Sequence, residues 1–494
     1  MYKSVIIFIF TCFSVVLFAQ VERSVQGAFG AVTIDGKVWN QIALRPVIPI
    51  WKFGVALDLV FYIDANGNIH KDEWDFSDGE AIKNTLIDKI YYIRFGFPND
   101  PLYFKVGSLD YVKLGYGILV DGYSNAIEYP QIRKVGLDLS VKRNLLSVQG
   151  FVNDFKENLG LVGFRVQTSM FAGIPIGISA VMDRNQHFGL KDRDGDEYPD
   201  FFDHFPDDGD KYSNAMDHYE EWRKIYLKFD GSIPDSFDVW FNTLPLDHNT
   251  FNPEEIKDDP MSAIAIDIGF PIITEQNLSV AIYTQAAKLI GETKYPGKSD
   301  STVSLGSGII PVGIATKIGP VHFNLEYRII PKGNFEFSYW NQTYEVERAT
   351  IEGEVIKTKE SKLGRFGKQK GIYAHFRMDI FSLLRFKMAY QNLRGDIWDG
   401  TTFSNQANQS FQSELCLKKS ISKIKTAKLF YQQLNVPNPF EFEFSESTVM
   451  GYKVGLELGS GMVLNYTYQR TFRMNTDGKM ESVNLTGIET SFTF

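Results

Sequence analysis

The chain has 494 residues, 44 % of them apolar, with 40 Phe, 24 Tyr and a net charge of −9. That length suits either several soluble domains or one large barrel, and the acidic balance argues against a nucleic-acid partner. The only cysteines are Cys12 and Cys416, too few for a disulfide framework.

In chain order, Met1 to Ala19 reads as a cleaved secretory signal. Lys3 precedes an apolar run from Val5 to Phe18, and Ala19 is a small residue before the cut. The run is short for a span, and a polar stretch, Gln20 to Gln26, follows it, which argues against an anchor helix. No later stretch is apolar enough for a membrane helix. An exported chain without disulfides needs another source of stability, and complete strand pairing in a closed sheet supplies one.

The clearest elements are alternating strands. Val321 to Ile329 alternates without a miss, and Ile372 to Ile380 sets Tyr373, His375, Arg377 and Asp379 on one face. Leu384 to Gln391 sets Phe386, Met388 and Tyr390 opposite Arg385, Lys387 and Gln391. Residues two apart share a face, so each stretch has one apolar and one polar surface. A β-sandwich alternates too, but its strands run to about 5–6 residues. These reach about ten, near the 9–11 of a tilted transmembrane strand.

Short connections are expected at Asn99-Asp100-Pro101, Arg143-Asn144, Ala172-Gly173, Gly319-Pro320, Ser382-Leu383 and Gly459-Ser460-Gly461. Longer polar stretches lie at 64–85, 113–130, 184–260, 288–304, 349–368, 396–408 and 436–446. The two kinds alternate if Pro331-Lys332-Gly333 is a bulge within one strand. The pattern predicts an all-β protein, a large antiparallel transmembrane β-barrel of about 20 strands, in the range 16–22, with both termini in the periplasm. Its first part spans 20–183 and its second 261–494, with a long acidic extracellular insertion at 184–260 between them. In the last strand Val483 and Leu485 lie opposite Ile488, Phe492 and Phe494, which predicts a bulge near Gly487.

The chain stops on Ser491-Phe492-Thr493-Phe494, an alternating strand with an aromatic at its tip. This ending and the strand pattern resemble bacterial outer-membrane β-barrels of the porin type. The resemblance implies a last strand that closes on the strand near Gln26–Thr33, outer-membrane lipid as surroundings, and barrel-assembly machinery that reads the terminal aromatic.

The 184–260 insertion holds Asp192-Arg193-Asp194-Gly195-Asp196-Glu197-Tyr198-Pro199-Asp200-Phe201-Phe202-Asp203. With Asp192 as position one, carboxylates fall at 1, 3, 5, 9 and 12, with the Tyr198 carbonyl at 7. This is the oxygen spacing of an EF-hand loop, except that Gly195 stands at 4 and Glu197 where the EF-hand has Gly. Residues 192–206 resemble a thrombospondin type 3 repeat, which implies Ca2+ held by Asp192, Asp194, Asp196, Asp200 and Asp203. A weaker echo runs from Asp64 to Asp75, with Asp64, Asn66, Asn68, Asp72 and Asp75 at the same spacing; an ordinary Asn-Gly turn is its alternative. Residues 183–260 carry 21 Asp/Glu and 8 Lys/Arg, a net of −13. Such a loop repels itself without bound cations.

Arg165, Arg328, Arg377, Arg385 and Lys387 fall on polar strand faces. In a lumen they either favour anionic solutes or pair with neighbours such as Glu326 and Asp379. The glycine-rich stretch 113–125 reads as a pore constriction or as a plain hairpin. The seven His form no metal spacing, and no Ser/His/acid set assembles, so no enzyme activity is expected. The favoured function is a porin-like channel for small hydrophilic solutes with a calcium-stabilised surface loop. The alternatives are a barrel-anchored adhesion or ligand-binding protein that takes an extracellular partner through 184–260, and an outer-membrane hydrolase.

Overall fold

The computed structural model describes residues 24–493, apart from 35–36, 71–73, 78, 99, 130–131, 172, 193, 207–208, 235, 242, 245–250, 299–300, 353–354, 460 and 475–478. The signal-like stretch 1–19, Asp72 and the terminal Phe494 therefore lie outside the described residues.

Among the described residues, twenty-one paired segments form one sheet. Two of them, Phe53–Leu57 and Leu59–Ile63, follow each other along the same neighbour, Lys37–Ile50. They are halves of one strand interrupted at Asp58, so the barrel has twenty strands. Every pairing is antiparallel at neighbouring positions, and the last strand, Met480–Thr493, closes on the first, Ser24–Ile34. The closing register runs from Gln26 opposite Thr493 to Val32 opposite Gly487. Closure leaves no unpaired edge, which is the condition for crossing a membrane in strands.

Alternation decides which side chains face lipid. Along Val321–Ile330, Phe323, Leu325 and Tyr327 are exposed outward, whereas Glu326 and Arg328 are buried inside. Along Met261–Thr274, Ile264 and Ile266 face outward while Ala263, Ala265 and Asp267 are buried. This outer band is apolar on strand after strand, from Phe29 and Ile42 to Leu429 and Ile488. In water such a band would aggregate; in lipid it is the favoured surface. The molecule is an integral barrel of the outer-membrane type.

Connections sort by rim. The described chain ends and the short turns at 51–52, 144–145, 319–320 and 381–383 share one rim, which makes that rim periplasmic. The long connections 64–89, 108–135, 184–260 and 331–365 leave from the opposite, extracellular rim.

Three expectations are corrected. Pro331-Lys332-Gly333 is not a bulge: the strand ends at Ile330 and the next, Phe366–Ile380, begins after a long loop. The stretch 396–408 is not a long loop either, since the strands Leu384–Trp398 and Phe403–Leu417 occupy most of it. Asp399 closes the tight turn between them by accepting from the Thr401 and Thr402 N–H groups at 2.9 Å each. The last strand has no bulge near Gly487, because it pairs with Met462–Met474 in unbroken register. Leu485 lies on the inner face and is buried there, at a level where the lumen is filled.

Candidate functional site

The lumen is filled from the extracellular side by two inward-folded loops. In 108–135 the glycine-rich stretch makes a small hairpin, Val112–Lys113 against Asp121–Tyr123. Ile118, Leu119, Val120 and Tyr123 of this loop are buried. It therefore is a hairpin and also lies within the lumen.

The second loop, 331–365, lies alongside. The Ser338 N–H donates to the Ile118 carbonyl at 2.8 Å, and the Trp340 N–H to the Leu119 carbonyl at 3.1 Å. Trp340, Tyr339 and Tyr344 are fully buried. They pack in one cluster with the wall residues Phe151, Val181, Met261, Leu289 and Leu393.

Wall contacts occur around the circumference. The Ile118 N–H reaches Gln285 Oε1 at 3.4 Å, Gln432 Nε2 reaches Thr343 Oγ1 at 3.1 Å, and Gln469 Nε2 reaches the Ile127 carbonyl at 2.6 Å. On a further strand, Asp58 accepts from Tyr129 at 3.0 Å and pairs with Arg133 at 2.9 Å and Arg45 at 2.8 Å. Asp58 points inward by the same alternation that buries Ala56, Val60 and Tyr62.

A buried ionic cluster holds the second loop. Arg348 grips Asp183, at the end of the strand Ile174–Asp183, through Nε–Oδ2 and Nη2–Oδ1 contacts of 2.7 Å each. It also reaches Glu157 at 2.8 Å. Lys134 joins Glu157 at 2.5 Å and Glu345 at 2.6 Å, and the Tyr123 hydroxyl donates to Glu345. Burial alone would raise the Glu157 carboxyl; Lys134 and Arg348 override it and hold it at about 2. Such a cluster contributes little over apolar packing, but removing one partner strands the others without compensation.

Beneath the loops, a cavity of about 310 Å³ runs along the inner face toward the periplasmic ends of the strands. Among its lining residues are Tyr373, Lys387, Gln412, Glu414, Lys428 and Gln432.

The five lumen candidates are all on the inner face and all have carboxylate neighbours. Arg165 is buried against Asp267, with one contact at 2.9 Å, and Gly115 and Gly177 leave the room that its guanidinium occupies. Gly115 has φ +58°, so a side chain there would meet strain as well as the guanidinium. Arg328 pairs with Glu326 at 2.7 Å and stacks 3.8 Å from the Tyr373 ring centre. Arg377 and Arg385 both reach Asp379, at 3.7 Å and 2.7 Å, and Lys387 reaches Glu414 at 2.8 Å. The reading of these residues as free cations for anions is therefore replaced by pairing, as expected where charges share a space of low dielectric constant.

In the insertion, the carboxylates of Asp192, Asp194 and Asp196 have oxygens within 4.8 Å of one another. Asp192 accepts from the Gly195 N–H at 2.8 Å and the Glu197 N–H at 3.1 Å, and Asp196 accepts from the Tyr198 N–H at 2.8 Å. Glu197 takes φ +76°, the left-handed region that the EF-hand gives to Gly. Asp203 is buried, and among the described residues neither its Oδ2 nor that of Asp196 has a hydrogen-bond partner. Burial, then the nearby charges of Asp194, Asp192 and Asp203, push the Asp196 carboxyl up to about 6 against the Tyr198 hydrogen bond. Asp200 lies 3.7 Å from Lys191. Tyr198 stacks on Tyr212 at 4.0 Å beneath the loop.

The weaker motif is differently arranged. Asp64 accepts from the Asn66 and Asn68 N–H groups at 2.8 Å and 2.7 Å and from Asn68 Nδ2 at 2.9 Å, around Gly67 at φ +87°. Asp75 accepts from the Ser77 N–H at 2.8 Å. Asp64 closes an Asn-Gly turn, and Asp72 lies outside the described residues.

Sequence reasoning missed Asp58, Arg133, Lys134, Asp183 and Arg348. Asp58 left a signal, a lone carboxylate in the apolar run Val55-Ala56-Leu57-Asp58-Leu59-Val60. The others have no local signal, because their partners come from distant loops.

No protein-family model matches the chain, and no curated protein is similar to it. The solved structures to which it is similar include three Pseudomonas aeruginosa proteins. These are OccK5 (OpdH), at 7 % identity over 96 % of each chain with a TM-score of 0.33; the outer membrane protein OpdK, at 8 % over 96 % of this chain and 98 % of that one, TM-score 0.34; and the outer membrane protein OprD, at 9 % over 96 % and 92 %, TM-score 0.32. The assignment to the outer-membrane barrel class rests on this chain's own closed sheet and apolar belt.

Proposed function

We propose that the protein is an outer-membrane channel for small hydrophilic solutes, closed in this structure by loops 108–135 and 331–365, with a calcium-stabilised extracellular insertion. The observation that carries the reading is the polar, ion-paired lumen with a cavity beneath the loops. A barrel that served only as an anchor would have no need of such a wall. Purified protein in planar bilayers tests it. The parent should be nearly silent and the Arg348→Ala variant should conduct; silence in both, with the barrel folded, would overturn it.

For the insertion, Asp192, Asp194, Asp196 and Asp203, with Asp200 and the Tyr198 carbonyl, suit a hard cation that takes six to eight oxygens. The converging carboxylates and the unpartnered oxygens of Asp196 and Asp203 support this. Bound Ca2+ would offset their mutual repulsion.

A surface-binding role has one observation in its favour. The insertion helices Asn214–Asp230 and Phe237–Phe241 present Trp222 and Trp240, ring centres 5.6 Å apart, both partly exposed. Calcium-dependent adhesion that is lost on deleting 186–258, with conductance retained, would favour that role over transport.

A further inference from the structure

We propose that the cavity under the loops takes neutral, polyhydroxylated solutes of mono- to disaccharide size. The proposal rests on the channel reading of the same lumen and names its substrate class. Two features of the lining carry it.

The first is the amide content. Asn341, Gln342, Gln391, Gln412, Gln432 and Asn435 all line this one cavity. A primary amide donates and accepts at once, as a hydroxyl does, so an amide wall matches a surface of hydroxyls in either orientation. Gln412 donates to Gln432 at 3.0 Å, and Gln432 to Thr343 of the second loop at 3.1 Å. A hydroxyl inserted into this chain replaces each bond with an equivalent one.

The second is charge balance. Lys387 and Lys428 share Glu414 at 2.8 Å and 3.0 Å near the periplasmic end, while Glu336 and Glu347 share Lys359 at 3.3 Å and 3.2 Å near the loops. Arg328 has Glu326, and Asp121 has Lys113 at 2.9 Å. Asp110, which also lines the cavity, has Lys105 at 3.2 Å, so every charged side chain of the lining has an opposite charge beside it. A charged solute must break one of these pairs and strand its partner, whereas a neutral solute leaves them intact. The rings of Phe337, Tyr373 and Tyr111 add apolar faces, the usual complement to orienting polar groups in a small-molecule site.

The probes are lactose and lactobionate, of similar size; lactobionate carries a carboxylate on an opened glucose unit. Calorimetry on the detergent-solubilised full chain should give lactose an affinity roughly tenfold or more above lactobionate. In Gln412→Leu, lactose binding should weaken roughly three- to tenfold, the worth of a neutral hydrogen bond. Ser410→Ala is the second variant, and heat-modifiable gel mobility reports folding in both. Equal or tighter lactobionate binding, or no lactose binding by the folded parent, would overturn the proposal. Swelling of liposomes carrying Arg348→Ala tests the channel reading separately. Lactose binding without swelling sinks the channel and leaves the site; swelling by both sugars alike, without lactose preference in binding, sinks the site and leaves the channel.

Discussion

Arg348, in a loop that enters the lumen, and Asp183, at the extracellular end of a wall strand, form a two-pronged ion pair with both contacts at 2.7 Å and both side chains fully buried. The pair joins segments 165 residues apart in the chain.

Arg348→Ala leaves Asp183 buried without its cation, while Glu157 and Glu345 keep Lys134, and the seating of the loop should weaken by about 3–5 kcal/mol. Because the barrel closes through other strands, it should stay folded while residues 331–365 become open to protease. Limited proteolysis with mass spectrometry reads this. Protection equal to the parent's would show that the ion pair does not hold the loop.

The seating should also depend on pH. Glu360, in loop 331–365, has its carboxyl pushed up from 4.5 to about 7, by burial first and then by Asp259, against the Thr293 hydroxyl and Lys294. The seated loop thus keeps a proton that the released loop gives up. Seating is favoured at acid pH and weakens as pH rises from 4.5 toward about 7, with no further loss from this group above that. Hydrogen exchange of the loop, corrected for intrinsic rates and followed between pH 5 and pH 8, should show the trend, and Glu360→Gln should flatten it. An unchanged slope in that variant assigns the effect elsewhere.

Asp196→Asn removes one carboxylate from the cluster of the 184–260 insertion and should lower calcium affinity roughly tenfold or more. In the parent, chelation should expose that insertion to protease while the barrel remains intact. Identical calcium titrations of variant and parent would remove the site.

Barrel closure has its own weak point. A Cβ added to Gly30 would lie 1.9 Å from the Ile488 carbonyl of the last strand. Gly30→Val should therefore push apart the first and last strands and reduce the heat-modifiable, folded fraction on unboiled gels. Normal folding of Gly30→Val would show that the seam has slack.

The strand architecture is legible in the sequence because its cause is local. A strand with lipid on one side and a polar lumen on the other must alternate, so Val321 to Ile330 displays its two faces without knowledge of any neighbour. The same holds for the acidic spacing from Asp192 to Asp203, where the prospective ligands sit on one loop, whereas the closing of the last strand on the first was expected only from the resemblance to other barrels.

The sequence by itself thus determined a large closed barrel, its sidedness and one candidate cation loop. Whether the lumen is open was decided only by the tertiary structure. Pro331 to Arg365 has no period that separates an inward loop from a strand bulge, and Arg348, Lys134, Glu157 and Asp183 meet only once four separate segments have folded. The same applies to the five cations on the polar faces: alternation places them inside, but only the tertiary structure shows that each has a carboxylate beside it.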